Sequence, residues 1–309
     1  MKRVAVLMGG WSPEREVSLV SGKACAEGLR EAGHDVVEYD VKRDLRALVE
    51  FLRPASGGGP DVVFNALHGR YGEDGCIQGV LEIMRVPYTH SGVLASAIAM
   101  DKPMARHVFT SLGLRVADGK VIERRSLAWG DPMVRPYVVK PIDQGSSVGV
   151  HIVREGDNLA AVEAAEAAFG ERVLVENFVP GRELTVAVMD DHAVAVTELR
   201  PRTRFYDYEA KYTDGITEHL VPAPVPPEVY ELAKQWALMA HEALGCNGLS
   251  RADFRWDDTQ PGTSGLVILE LNTQPGMTPL SLAPEQAKWA GISWSQLMTW
   301  MVDHARHPS

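Results

Sequence analysis

The sequence predicts a mixed fold, an open parallel α/β sheet followed by two α+β units. Three observations carry that expectation. Strand-like and helical segments alternate as far as about Ser91, which is the signature of βαβ units and a parallel sheet. Beyond Ser91 strands follow one another without a long helix between all of them. Two stretches of apolar/polar alternation near the C-terminus then call for antiparallel pairing.

The elements run in order. The apolar run RVAVLM at residues 3 to 8 ends at Gly9-Gly10 and reads as a buried strand. A helix is expected from about Val17 to Ala32, closed by Gly33 at its C-terminal cap. A strand (HDVVEYDV), a helix (DLRALVEFLR), a loop at Gly57 to Pro60 and a strand (DVVFNAL) follow. Residues 93 to 112 read as helical, and PYVVKP, GVHIV and VLVENFV as strands. In LTVAVMDDHAVAVTEL, Asp190-Asp191 makes a hairpin turn. A proline-rich stretch at Pro222 to Pro227 leads into a helix to about Leu244. The strands SRADFRW and LVILELN precede an amphipathic helix, SWSQLMTWMVDHA.

The 309 residues carry 31 Lys plus Arg against 41 Asp plus Glu, a formal charge of −10 that offers no global field for nucleic acid. This length suggests two or three domains. Three scattered cysteines, Cys25, Cys76 and Cys246, lack metal or redox spacing and fit a reduced, cytoplasmic setting. The apolar run after Lys2 and Arg3 is short and followed by Glu14, Arg15, Glu16 and Lys23, so it is not read as a signal peptide. No apolar run approaches the roughly 18 residues of a membrane span.

No Walker A or GxGxxG sequence occurs, and His241-Glu242 lacks the second histidine of a zinc-protease helix. Gly145-Ser146-Ser147-Val148-Gly149 matches a nucleophile elbow, but VHIVREGD after it alternates like a strand where a hydrolase needs a helix. The same segment suits phosphate better. A strand delivers Lys140, and Gln144-Gly145-Ser146-Ser147 forms a small-residue loop whose N–H groups can cradle anionic oxygens. The alternative is an ordinary hairpin turn.

Strand periodicity places Arg251 with Asp253, and Glu270 with Asn272, while Leu269 and Leu271 take the opposite, buried face. If these strands pair, one face gathers two carboxylates, an amide and a guanidinium. Such hard oxygens suit Mg²⁺ or Mn²⁺ rather than zinc. The alternative is a solvated polar face.

Set in order along the chain, these motifs carry a resemblance. GGWSPEREVSL (9 to 19), ALHGRYGEDG (66 to 75), MDK (100 to 102), VVKPIDQGSSVGV, PGRELTVAV, FYDYEAKY (205 to 212), GLSRADF and LELNTQPGMTPLSL together resemble the D-alanine–D-alanine ligase family of the ATP-grasp superfamily. The resemblance covers nearly the whole chain. It implies a three-domain ATP-grasp architecture, with an N-terminal α/β substrate-side domain (1–91), a central ATP-grasp domain (92–179) and a C-terminal catalytic ATP-grasp domain (180–309).

It also implies roles. Lys102 and Lys140 are similar to the lysines that hold the phosphates, with Ser146 and Ser147 in the covering loop. Glu176, Asn177 and Val179 fall on the hinge strand at adenine, and Glu183 at the ribose. Asp253, Glu270 and Asn272 match the ligands of two Mg²⁺ (or Mn²⁺) ions. Arg251 and the Gly276 N–H match the oxyanion site, Glu14 the group receiving the first D-alanine's ammonium, and His68 its neighbour. Ser281 and Leu282 match the contacts to the second D-alanine, and Tyr206, Lys211 and Tyr212 fall on a mobile loop.

Two positions depart from the family pattern: Asn177 replaces its common lysine, and Gln144 its common glutamate. The implied reaction is ATP-dependent joining of two D-alanine molecules through an acyl phosphate, with ATP as co-substrate. A homodimer and a cytoplasmic location are implied too, with no nucleic-acid or membrane partner. The competing readings are a D-alanine–D-lactate or D-serine type ligase, a serine hydrolase using Ser147, and a nucleotide sensor without turnover.

Overall fold

A computed structural model describes residues 1–54, 56–145, 149–159, 170–201, 217–278 and 281–305. Its first sheet is parallel, with β1 (Arg3–Gly9) central between β2 (Asp35–Val41) and β3 (Val62–Asn65). Both faces of β1 are covered, as its unbroken apolar sequence requires. Ala5 and Leu7 join α2 (Leu45–Leu52) and α3 (Cys76–Ile83) in one core. Val4, Val6 and Met8 meet α1 (Arg15–Glu31) in another. Gly33, with φ +85°, ends α1 as expected.

The expected helix over 93 to 112 is two helices, α4 (Val93–Met100) and α5 (Lys102–Ser111). Asp101 breaks the run: its backbone is extended and its side chain accepts from Met104 N at 3.0 Å, while Pro103 fills the first turn. This break sets Lys102 at a helix start. Periodicity alone did not show it.

The second sheet is antiparallel, in the order β4 (Gly119–Glu123), β7 (Arg172–Asn177), β5 (Tyr137–Pro141), β6 (His151–Val153). Tyr137, Val139, Val173 and Val175 face its core. The alternate residues Val138, Lys140 and Glu176 therefore face the other way, into a cleft. β6 directly follows the GSSVG segment, so the strand reading holds and the helix a hydrolase elbow needs is not there.

The third sheet is also antiparallel, in the order β10 (Thr217–Leu220), β9 (His192–Pro201), β8 (Arg182–Met189), β11 (Leu249–Trp256), β12 (Leu266–Asn272). Asp190, at φ +50°, turns the β8–β9 hairpin. One face packs on α6 (Pro227–Leu244) through Val229, Ala233, Trp236, Ala237 and Ala240, joined by Ala105 and Phe109 of α5. The C-terminal helices α7 (Leu282–Trp289) and α8 (Trp294–Asp303) fill the space between the first and third sheets. Leu297, Met298, Met301 and Val302 of α8 share a core with Val4, Val6 and Leu29. No described helix is long and apolar enough to cross a membrane.

Candidate active site

The second and third sheets leave a cleft between them. One wall carries Lys140, Glu176, Asn177, Phe178 and Val179; the other carries Glu183, Asp253, Arg255, Leu269 and Glu270; Lys102 of α5 closes one end. Eight of the residues singled out by sequence meet there: Lys102, Lys140, Glu176, Asn177, Val179, Glu183, Asp253 and Glu270. Ala117, Val138 and Val150 add an apolar lining.

Alternation along β11 puts Ala252, Phe254 and Trp256 in the core and turns Arg251, Asp253 and Arg255 to the cleft side. β12 pairs as the motif requires, with Asp253 opposite Glu270 and Arg251 opposite Asn272. Leu269 departs from expectation. A bulge shifts the register, so that Phe254 faces Ile268, and Leu269 lines the cleft while Leu271 stays buried. The extra residue of a bulge turns neighbouring side chains to the same side. Here it adds an apolar surface beside Glu270.

The charges are paired. Arg251 grips Asp253 with both arms of its fork, at 2.8 and 2.7 Å, and Asp253 also accepts from Thr185 Oγ1 at 2.6 Å and Asn272 Nδ2 at 3.2 Å. Lys102 Nζ donates to the Gln144 carbonyl at 2.5 Å and stands 3.8 Å from Glu270, which ties the loop after β5 to β12. The buried Glu176 carboxylate is shared between Lys140 and Arg106. Arg106 reaches it from α5 while donating to the Ala117 carbonyl at 2.6 Å. Sequence reading passed over Arg106, although it lies one helical turn after Lys102 and therefore on the same face.

Glu14 sits at the start of α1, but its side chain makes no capping bond, and it is 5 % exposed. A Cβ added to Gly69, which has φ +70°, would stand 2.5 Å from the Glu14 carboxylate, so only glycine lets this chain pass under it. Ser12 links Glu14 to His68: its hydroxyl accepts from Glu14 N at 3.1 Å and donates to the His68 carbonyl at 2.7 Å. The His68 ring meets Ser21 Oγ at 3.1 Å, and burial lowers its pKa to about 4, so it is neutral near pH 7.

Glu73, also unflagged by sequence, accepts from Gly69 N at 2.9 Å. Burial, then the nearby Glu14, push its carboxyl well above the usual range. Glu73, Gln144, Gly145 and Asn272 line a second small pocket against Lys102 and Glu270. On the far side, a Cβ on Gly276 would stand 3.0 Å from Ser281 Oγ, whose hydroxyl accepts from Thr278 N at 2.9 Å; Leu282 opens α7 and is buried. Ser146, Ser147, Tyr206, Lys211 and Tyr212 lie outside the described residues.

An apolar slot, the chain leaving β7 at Asn177 to Val179, buried lysines and opposed carboxylates suit a nucleotide whose phosphates point at Lys102 and Lys140. Among the described residues, no cluster of three His, Cys, Asp or Glu side chains forms a self-sufficient metal centre. Two carboxylates and an amide do fit a hard cation that takes further oxygens from a bound phosphate.

Family comparisons agree along the chain. The D-ala D-ala ligase C-terminus family matches residues 111–303, and the D-ala D-ala ligase N-terminus family matches residues 47–91. The chain is 56% identical to a D-alanine–D-alanine ligase of Parvibaculum lavamentivorans, covering 98% of this chain and 97% of that protein. It is also 56% identical to one of Acidiphilium cryptum, covering 99% of each. A crystal structure of D-alanine–D-alanine ligase from Bacillus anthracis superposes with a TM-score of 0.82 at 31% identity, covering 98% of this chain and 97% of that one. The Bacillus anthracis enzyme complexed with ATP superposes at 0.81 and 28% identity, with the same coverage. With the three sheets, the cleft and both family matches in agreement, this chain belongs to the D-alanine–D-alanine ligase family.

Proposed function

We propose that this protein joins two molecules of D-alanine into D-alanyl-D-alanine at the expense of ATP, releasing ADP and phosphate, and so supplies peptidoglycan precursors for the cell wall. The observation that carries this reading is the facing of Lys102 and Lys140 with Asp253 and Glu270 across one cleft, in a chain that matches ligases over almost its whole length.

A carboxylate is too poor an electrophile for an amine to attack, so it is first activated. An oxygen of the first D-alanine's carboxylate attacks the γ-phosphorus of ATP; the bond to the β-phosphate oxygen breaks and ADP leaves, giving D-alanyl phosphate. Lys102 and Lys140 offset the phosphate charge that would repel this approach, with Ser146 and Ser147 over the phosphates. Glu176, Asn177 and Val179 hold adenine, and Glu183 holds the ribose. Asp253, Glu270 and Asn272 would hold Mg²⁺ or Mn²⁺, two ions, which when bound neutralise phosphate charge as Lewis acids.

The second D-alanine's neutral amine then attacks the acyl carbon. A C–N bond forms, the C–O bond to phosphate breaks, and the proton the amine loses ends on the departing phosphate. The Arg251 guanidinium and the Gly276 N–H steady the tetrahedral oxyanion. Glu14 receives the first ammonium with neutral His68 beside it, and Ser281 and Leu282 receive the second D-alanine. Tyr206, Lys211 and Tyr212 keep water from the acyl phosphate.

In this reading ATP lies between the 92–179 and 180–309 domains, and D-alanine against the 1–91 domain. The enzyme acts as a cytoplasmic homodimer without nucleic-acid or membrane partners. The deciding experiment is ADP release against a panel of D- and L-amino acids and D-lactate, with Mg²⁺ and chelator controls. D-alanine-dependent ADP with equal D-alanyl-D-alanine is expected; ATP binding without amino-acid-dependent turnover would sink the proposal. Sedimentation equilibrium checks the dimer.

A further inference from the structure

Arg255 lies two residues beyond Asp253 on β11 and lines the same cleft, and neither periodicity nor motif singled it out. Its guanidinium is committed in three directions. Nε donates to the Val179 carbonyl at 3.2 Å, Nη2 donates to the Gly181 carbonyl at 2.8 Å, and Nη1 lies 3.4 Å from the Glu183 carboxylate. The same group sits 5.9 Å from the centre of the Phe178 ring. The Val179 and Gly181 carbonyls belong to the turn from β7 into β8, where the chain passes from the second sheet to the third.

The backbone supports this grip. Arg255 and Glu183 are direct partners in the antiparallel β8–β11 register. Gly181, at φ +88°, presses so close to β11 that a Cβ there would stand 2.2 Å from the Trp256 carbonyl oxygen. A planar guanidinium held by two main-chain carbonyls cannot follow a wandering carboxylate, so Glu183 is held to it instead. The arginine also offsets a negative charge that would otherwise face a polyphosphate.

We propose that Arg255 is the positioning residue of the nucleotide pocket, presenting the Glu183 carboxylate to the ribose hydroxyls and referencing the adenine hinge to the strand that carries Asp253. This rests on the reading of Glu183 as the ribose contact. Arg255 acts through Glu183 and the hinge carbonyls, so its effect falls on nucleotide recognition rather than on acyl transfer.

The experiment compares ATP with 2′-deoxy-ATP and 3′-deoxy-ATP as substrates of the full chain, read as kcat and KM from ADP release. For Arg255→Met, KM for ATP is expected to rise roughly 10-fold, the size of one lost charge-assisted hydrogen bond, with kcat and the KM for D-alanine little changed. The preference for ATP over the deoxy analogues should fall towards that of Glu183→Gln, and the double variant should add little. Arg255→Lys keeps the charge without the fork and should lie between. It also carries the test if the methionine variant does not fold. Wild-type discrimination in Arg255→Met and Arg255→Lys, with discrimination lost in Glu183→Gln, overturns the positioning role and leaves the ribose reading standing. Unchanged discrimination in Glu183→Gln overturns both.

Discussion

The side-chain amide of Asn65, at the end of β3, donates to Oε1 of Gln274, in the loop after β12, across 2.9 Å and 209 residues of sequence. The same Asn65 amide donates to the Gly72 carbonyl at 2.9 Å, its oxygen accepts from Leu67 N at 3.2 Å, and Gln274 returns a bond to the Leu67 carbonyl. All of these groups are buried. The pair therefore clamps the loop bearing His68 to the loop bearing Gly276.

Removing Gln274 takes one acceptor from the buried Asn65 amide and the side-chain donor from the buried Leu67 carbonyl. Gln274→Leu is expected to cost about 1–3 kcal/mol of stability. It should also lower kcat by shifting the Gly276 N–H. Urea unfolding and steady-state kinetics on the same preparation check both; unchanged kcat in a destabilised protein would detach the clamp from the site.

Asp253→Asn keeps the shape of the side chain and its neighbours Thr185 and Asn272. Metal-dependent ADP release is expected to fall by at least about 100-fold, a loss typical of disrupted charge stabilisation in a reacting site. Glu270→Gln should do the same, with circular dichroism unchanged in both. Full activity in either variant refutes the metal assignment.

Arg106→Met leaves the buried Glu176 carboxylate to Lys140 alone. Breaking a buried ion group on one side costs about 3–5 kcal/mol. Lys140 is then drawn fully onto Glu176, so the KM for ATP should rise while the KM for D-alanine holds. A stable variant with native ATP affinity would show that Lys140 needs no such neighbour.

Three buried histidines, His68, His90 and His241, have pKa values lowered by burial to about 4 each. The unfolded chain binds protons at these positions at a higher pH than the folded one, near 6.5. Their neutral burial is therefore favourable above about pH 6.5, and stability is lost as pH falls from there towards 4. At about pH 5 the loss should approach 2 kcal/mol per histidine. Calorimetric Tm measured across this range should fall with acidification. It should fall less steeply in His241→Gln, whose ring otherwise meets Ser250 Oγ at 2.7 Å. A flat profile would contradict the burial argument.

Much of the fold and part of the candidate site were legible in the residues alone, because side-chain direction along a strand or helix is a local property. The period-two pattern of SRADF and LELN placed Arg251 with Asp253 and Glu270 with Asn272, and the pairing of β11 with β12 bears this out. Leu269 was misplaced because a bulge depends on the partner strand. The break at Asp101 was missed because a helix-start bond and a helical run share the same apolar spacing.

Which distant groups meet was decided by packing. Alternation in β7 turns Glu176 to the cleft, but nothing local says that Arg106 and Lys140 both reach it. Nothing local says that Arg255 grips the carbonyls of Val179 and Gly181, or that Asn65 finds Gln274. Those partners lie tens to hundreds of residues apart, and only the packing of three sheets, the first and third around a shared core and the second on its own, brings them within hydrogen-bond reach. The sequence alone determined the chemistry the chain carries and the face of each element that bears it. The tertiary structure decided which charges are shared and which carboxylate is held by which arginine.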